Sequence, residues 1–141
     1  MAHKKNAQLV WTGEDWNFET TLGSGYQVQF KAPEPDATGG SPMEFLLAGV
    51  AGCTGVDVLS ILKKMRQEVT GLTVDIEGDR AEDYPMVYTD VTIVYNVTGT
   101  DIDPDSVEKA IELSMTKYCS TSIIFKRAGV KVSTKYNIEA A

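Results

Sequence analysis

Ser41-Pro42-Met43-Glu44-Phe45-Leu46-Leu47-Ala48-Gly49-Val50-Ala51-Gly52-Cys53-Thr54-Gly55-Val56-Asp57 decides how this chain is read. It opens as a helix must. Ser41 suits the N-cap, Pro42 the first helical position, and Glu44 the place from which a carboxylate reaches back to the cap, the pattern of a capping box. From Phe45 to Val56 the residues are almost wholly apolar or small, so the helix is expected to be buried on most sides. Gly49, Gly52 and Gly55 each cost about 1 kcal/mol relative to Ala in a helix interior, which suggests a bend or a close approach by another backbone. The helix is expected to continue to about Glu68, with Lys63, Lys64 and Arg66 in its last turns, where cations suit the dipole.

Around this helix the pattern alternates between strand and helix signals. Lys5 to Val10, Trp16 to Leu22 and Tyr26 to Phe30 read as strands, followed by a loop containing Pro33, Pro35, Gly39 and Gly40. Leu72 to Gly78 and Val87 to Val97 read as a hairpin. Asp103 and Pro104 start a second helix with Val107, Ala110, Ile111, Leu113 and Met115 on its apolar face, ending near Tyr118 or Cys119. Ser120 to Arg127 allows a further short helix, and Val130 to Ile138 closes as a strand. The order β-β-β-α-β-β-α-β, without a strict βαβ repeat, indicates an α+β fold with a mostly antiparallel sheet.

The chain has 141 residues, 13 Lys+Arg against 20 Asp+Glu, one His and two Cys. That length fits a single domain over 1–141 with a core sufficient without a metal or disulfide staple. The net charge of -7 argues against a nucleic-acid backbone binder. A single His excludes a His-rich metal site, and no metal or other cofactor is expected. The N-terminus lacks a signal peptide, and the charge-free apolar run from Phe45 to Val56 is shorter than the roughly 20 residues of a membrane span. A cytoplasmic protein with reduced thiols and no membrane partner is therefore expected.

Chemistry then centres on Cys53 and Cys119. Their separation matches neither a CxxC motif nor a zinc spacing. One reading makes them small buried hydrophobes; the other makes them a reactive thiol and its resolving partner. Spacing leaves both open. Glu44 lies nine helical positions before Cys53, on the opposite side of a straight helix, which favours a capping role within one chain. Asp57, one turn beyond Cys53, shares its face, either as a salt-bridge partner within a dimer or solvated.

The Ser41-to-Asp57 segment, with Lys117-Tyr118-Cys119 later, resembles the OsmC/Ohr family of osmotically inducible and organic-hydroperoxide-resistance proteins. Gly52 to Asp57 and Leu62 to Gln67 are most similar to its YhfA-like branch. The resemblance implies an intertwined homodimer built on two long central helices. It implies a cysteine-based thiol peroxidase in which Cys53 attacks an organic hydroperoxide, Cys119 resolves the sulfenic acid, and an external dithiol reduces the disulfide. It adds Glu44 as a catalytic candidate, because the family pairs an early-strand Arg with an acid just after the helix-starting Pro. Here Met43 follows Pro42 directly, and no Arg precedes Gly40; the arginines are Arg66, Arg80 and Arg127. Lys31 is the candidate replacement cation, and Arg80 a second if its loop folds over the site. A dimeric small-molecule-binding protein, or a thiol redox sensor lacking the activating Arg, is the alternative.

Overall fold

The computed structural model describes residues 3–31 and 39–141. Pro33 and Pro35 lie outside them. The element order is β1 (Ala7–Trp11), β2 (Asn17–Leu22), β3 (Gln27–Lys31), α1 (Pro42–Lys64), β4 (Glu68–Arg80), β5 (Tyr88–Thr100), α2 (Pro104–Leu113), a π-helical turn (Ser114–Tyr118), α3 (Ser120–Arg127) and β6 (Lys131–Ala140). The fold is α+β, as expected, with two sheets rather than one. The chain divides into two compact units, Met1–Leu46 and Leu47–Ala141.

In the first unit, β1, β2 and β3 form an antiparallel meander in which Val10 faces Glu19 and Phe18 faces Phe30. Phe30 packs on Phe45 with ring centroids 4.5 Å apart. Most of its large apolar side chains are exposed: Trp11 is 59%, Trp16 61% and Tyr26 69% accessible. A three-stranded sheet needs an apolar face covered to be stable. Thr20, by contrast, is buried and its hydroxyl has no hydrogen-bond partner among the described residues.

The second unit holds the core. β4 and β5, each of 13 residues, pair antiparallel, and β6 pairs with β5 in parallel, Tyr95 beside Tyr136. A parallel pair requires a crossover, and α2, the π turn and α3 supply it. The central strand β5 buries Val91, Ile93, Tyr95 and Val97 on one face, by the period of two. Helix α1 buries Val50, Thr54, Val58 and Leu62, a stripe at every fourth residue.

The helix ends differ from expectation in two places. Helix α2 ends at Leu113 rather than near Tyr118 or Cys119. Helix α1 stops at Lys64, not near Glu68. Gln67 N–H bonds to Leu62 O and Arg66 N–H to Lys63 O, a Schellman turn, with Arg66 in the left-handed region at φ 61. Such a position favours Gly, yet the nearest Gly in the sequence is Gly71, four residues into the next strand. The Asp103 cap is as expected: its carboxylate accepts from Asp105 N–H, and Pro104 opens α2.

Helix α1 runs through its three glycines as one continuous helix of 23 residues. Among the described residues, no other backbone comes within 4 Å of a Cβ at any of the three. A Cβ at Gly49 or Gly52 would meet nothing within 4 Å. The helix is also long and apolar enough to cross a membrane by length and composition, a test that core helices of soluble proteins also pass. The apolar run from Phe45 to Val56 is broken by the charge of Asp57, beyond which Val58-Leu59-Ser60-Ile61-Leu62 continues it.

The capping box forms in full. Ser41 N–H donates to Glu44 Oε1 at 2.9 Å, and Glu44 N–H to Ser41 Oγ at 3.2 Å. The Ser41 backbone N–H, then the Ser41 hydroxyl, hold the Glu44 carboxyl below its ordinary value against a small opposing effect of burial, and the Lys31 charge adds to this. A folded value below the unfolded one stabilises the fold above the unfolded value and is lost as pH falls through the folded one. Glu44→Gln should therefore lower stability at neutral pH and flatten the loss of stability on acidification below about pH 4.5, read by urea unfolding at a series of pH values.

Candidate functional site

Two of the three sequence-derived site residues meet. Cys53 projects from α1, and Asp57 one turn later shares its face. Cys119 arrives from the junction of the π turn and α3, and the two sulfurs and an Asp57 carboxylate oxygen all lie within 4.8 Å of one another. Both cysteines are free thiols; Cys53 is half-buried and Cys119 is fully enclosed. The fold thus selects the paired-thiol arrangement over two unrelated core residues, a choice that a 66-residue separation in sequence could not make.

Cys119 is not the end of α2. It is the N-cap of α3. Helix α2 gives way at Ser114 to a π turn in which Cys119 N–H bonds to Ser114 O at 2.7 Å. Thr116 Oγ1 donates back to Glu112 O at 2.7 Å, the kind of local hydroxyl bond that competes with a regular helix. Lys126 Nζ takes the freed Met115 carbonyl at 2.9 Å. From the cap position the Cys119 sulfur accepts from Ser122 N–H at 3.5 Å and lies 3.4 Å from the Thr121 hydroxyl. Burial pushes the Cys119 thiol up, but the Ser122 and Thr121 side chains, the Ser122 N–H and the Cys53 thiol together bring it below its ordinary value. Donors aimed at the anion do here what a neighbouring cation does elsewhere.

Behind the thiols runs a buried chain of hydroxyls. Tyr95 Oη lies 2.7 Å from Thr54 Oγ1, which lies 2.7 Å from Ser114 Oγ, and Ser114 donates to Asp57 Oδ2 at 2.9 Å. The carboxylate fixes its direction. Ser114 has one proton and gives it to Asp57, so Thr54 must donate to Ser114 and Tyr95 to Thr54. Burial first, then the Cys119 and Asp57 charges, push the Tyr95 phenol up to about 12 against the effect of its Thr54 bond, which keeps it protonated and able to donate. Asp57 is therefore not simply solvated: it is half-buried and anchored by Ser114.

Glu44, the third candidate, is engaged in the Ser41 capping box. Arg80 Nε donates to Met86 O at 2.8 Å, which ties down the hairpin loop. Arg66 occupies the turn after α1 and Arg127 the last turn of α3. Sequence reasoning missed Thr54, Ser114, Tyr95, Thr121 and Ser122. A signal existed for two of them. Thr54 interrupts the apolar stripe Val50, Val58, Leu62, and Ser114 follows Val107, Ala110 and Ile111 at the next helical step, so each is a polar residue on a buried face.

Residues 35–135 match the family described as OsmC-like protein. The chain belongs to that family. It is 34% identical to protein YhfA of Escherichia coli strain K12 over 135 residues, covering 96% of this chain and 98% of that one. Among solved structures, a hypothetical protein from Aquifex aeolicus VF5 superposes with a TM-score of 0.87 at 28% identity, covering 99% of each chain. The organic hydroperoxide resistance protein OhrB of Bacillus subtilis shares the fold with a TM-score of 0.64 at 17% identity, covering 95% of this chain and 98% of that one.

The hydroxyl chain gives a direct test of how strongly the site is built into the core. Thr54→Val keeps the shape but leaves the Tyr95 hydroxyl without its acceptor and Ser114 without a donor. We expect a loss of about 1–3 kcal/mol in urea unfolding, with the slope unchanged, whereas Thr121→Val should cost less because Thr121 is not fully enclosed.

Proposed function

We propose that this protein is a cysteine-based thiol peroxidase acting on organic hydroperoxides. The observation that carries the proposal is the pairing of a half-buried thiol with an enclosed one, both sulfurs within 4.8 Å, inside an OsmC-family fold. Cys53, the more accessible sulfur, attacks the distal oxygen as thiolate. The O–O bond breaks, the alkoxide leaves and takes a proton to become the alcohol, and Cys53 becomes a sulfenic acid. Cys119 then attacks the Cys53 sulfur, water leaves, and the disulfide forms before further oxidation can occur. An external dithiol restores both thiols by exchange. In this reading Glu44 contributes by fixing the start of α1, and the reaction takes place in a reducing cytoplasm, away from membranes and nucleic acid.

We further propose that the working form is a homodimer in which α1 packs against its counterpart in a second copy. Val56 is 70% exposed on a largely apolar helix, and a Cβ at Gly52 would meet nothing within 4 Å among the described residues. The exposed apolar side chains of the first sheet ask for the same kind of cover.

Wild-type protein with a small dithiol should consume an organic hydroperoxide over many turnovers. Cys53→Ser should abolish this, while Cys119→Ser should accumulate a sulfenic acid that a β-dicarbonyl reagent traps at Cys53. Absence of consumption by the wild type sinks the reading; formation of one disulfide per chain without turnover identifies the redox sensor instead, and neither oxidation nor turnover identifies the small-molecule-binding protein, which the lack of an early Arg favours. For the dimer, Gly52→Ala discriminates. It should gain about 1 kcal/mol of helix stability in an isolated chain, so a fall in both thermal stability and dimer content by light scattering is the expected mark of a packed partner helix.

A further inference from the structure

The cluster that supports the peroxidase reading holds a third group which that chemistry does not use. Cys53 and Asp57 stand one turn apart on α1, the i, i+4 spacing that lets two side chains on one helix ligate a single ion. Cys119 faces them from the N-cap of α3, and the three donor atoms lie within 4.8 Å of one another. In a tetrahedral zinc site, Zn–S is about 2.3 Å and Zn–O about 2.0 Å, so donors stand about 3.5–3.8 Å apart. The widest pair here need close by about 1 Å, within reach of small side-chain rotations on fixed backbones.

We propose that the reduced protein binds one zinc-class divalent ion per chain through Cys53, Asp57 and Cys119, with water in the fourth position. The donor set argues for this class. Two thiolates with a carboxylate are too soft for magnesium or calcium and too hard for copper(I), but suit borderline Zn2+. The surroundings are those of a supported site. Ser114 donates to Asp57 Oδ2 at 2.9 Å and orients the carboxylate. Ser122 N–H donates to the Cys119 sulfur, and the Thr121 hydroxyl lies beside it. Cys53 is half-buried, which leaves an entry side for the ion and its water.

Metal and disulfide are mutually exclusive states of the same two sulfurs. A hydroperoxide takes two electrons from the two thiolates; with two protons from solvent, one oxygen leaves as the alcohol and the other as water, the sulfurs join, and the ion departs with its charge unchanged. The site is then a reservoir that releases zinc on oxidation. This inference goes beyond the peroxidase reading and shares only its sulfurs.

The test uses the reduced full chain without peroxide, titrated with Co2+ as a coloured stand-in and then with Zn2+. The expected result is a thiolate-to-cobalt charge-transfer band that saturates at one ion per chain and is displaced by Zn2+. Cys53→Ser and Cys119→Ser should remove most of that band. Asp57→Asn, which still accepts the Ser114 bond, should weaken affinity by about tenfold or more. No saturating band in protein whose two thiols titrate as free, or an Asp57→Asn affinity equal to that of the wild type, overturns the proposal. Hydroperoxide turnover is measured separately in the presence of a chelator. Turnover without metal binding removes the zinc site alone, and metal binding without turnover removes the peroxidase reading alone.

Discussion

The contact on which the rest depends is the seating of α1 on β5 through Thr54. Val50, Val58 and Leu62 give that seam its hydrophobic area. Apolar contact alone tolerates sliding and rotation, because burial is non-directional. The Thr54 hydroxyl removes that freedom. It is bonded at once to Tyr95 of β5 and to Ser114 of the π turn, so helix, strand and turn share one register. Rotating α1 by one position would orphan three hydroxyls in the core. The same lock sets where Cys53 and Asp57 point, since they lie one residue before and three after Thr54. The thiol site is in this sense a by-product of how the core is fastened.

Much of the fold could be read from the sequence because its strongest signals are local. The Ser41-Pro42-Met43-Glu44 start, the Asp103-Pro104 start and the alternation of β5 each rest on residues within a few positions of one another. The failures are also local, but of another kind. Arg66 serves at φ 61 where a Gly would be looked for, because the Leu62 and Lys63 carbonyls still need partners and tertiary packing holds the turn. The π turn left no periodic trace: Met115 to Tyr118 look like one more helical turn until the displaced carbonyls are counted.

The site was half legible. Cys53 and Cys119 stood out by chemistry, but nothing in a single sequence gives the distance between residues 66 positions apart. The partners that tune them are hydroxyls, and hydroxyls are common everywhere. Ser114 and Thr54 become informative only as polar interruptions of a buried stripe, and Ser122 acts in part through its backbone N–H, which no side-chain pattern can announce. Glu44 illustrates the reverse. Its pairing with Ser41 was readable because a capping box closes over three residues, whereas any part in catalysis depends on long-range geometry.

The shortage of arginine now has a physical counterpart. A guanidinium stabilises a thiolate by charge and imposes a planar fork on whatever approaches. Around Cys119 the work is divided among a backbone N–H, two hydroxyls and a neighbouring thiol, none of which carries a formal charge. Such donors favour the anion at the enclosed sulfur without attracting anionic ligands from solution. Cys53 is half-buried, and Cys119 is fully enclosed. A carboxylate anchored beside both, in a protein of net charge -7, makes the site more hospitable to a neutral group or a cation than to any anion.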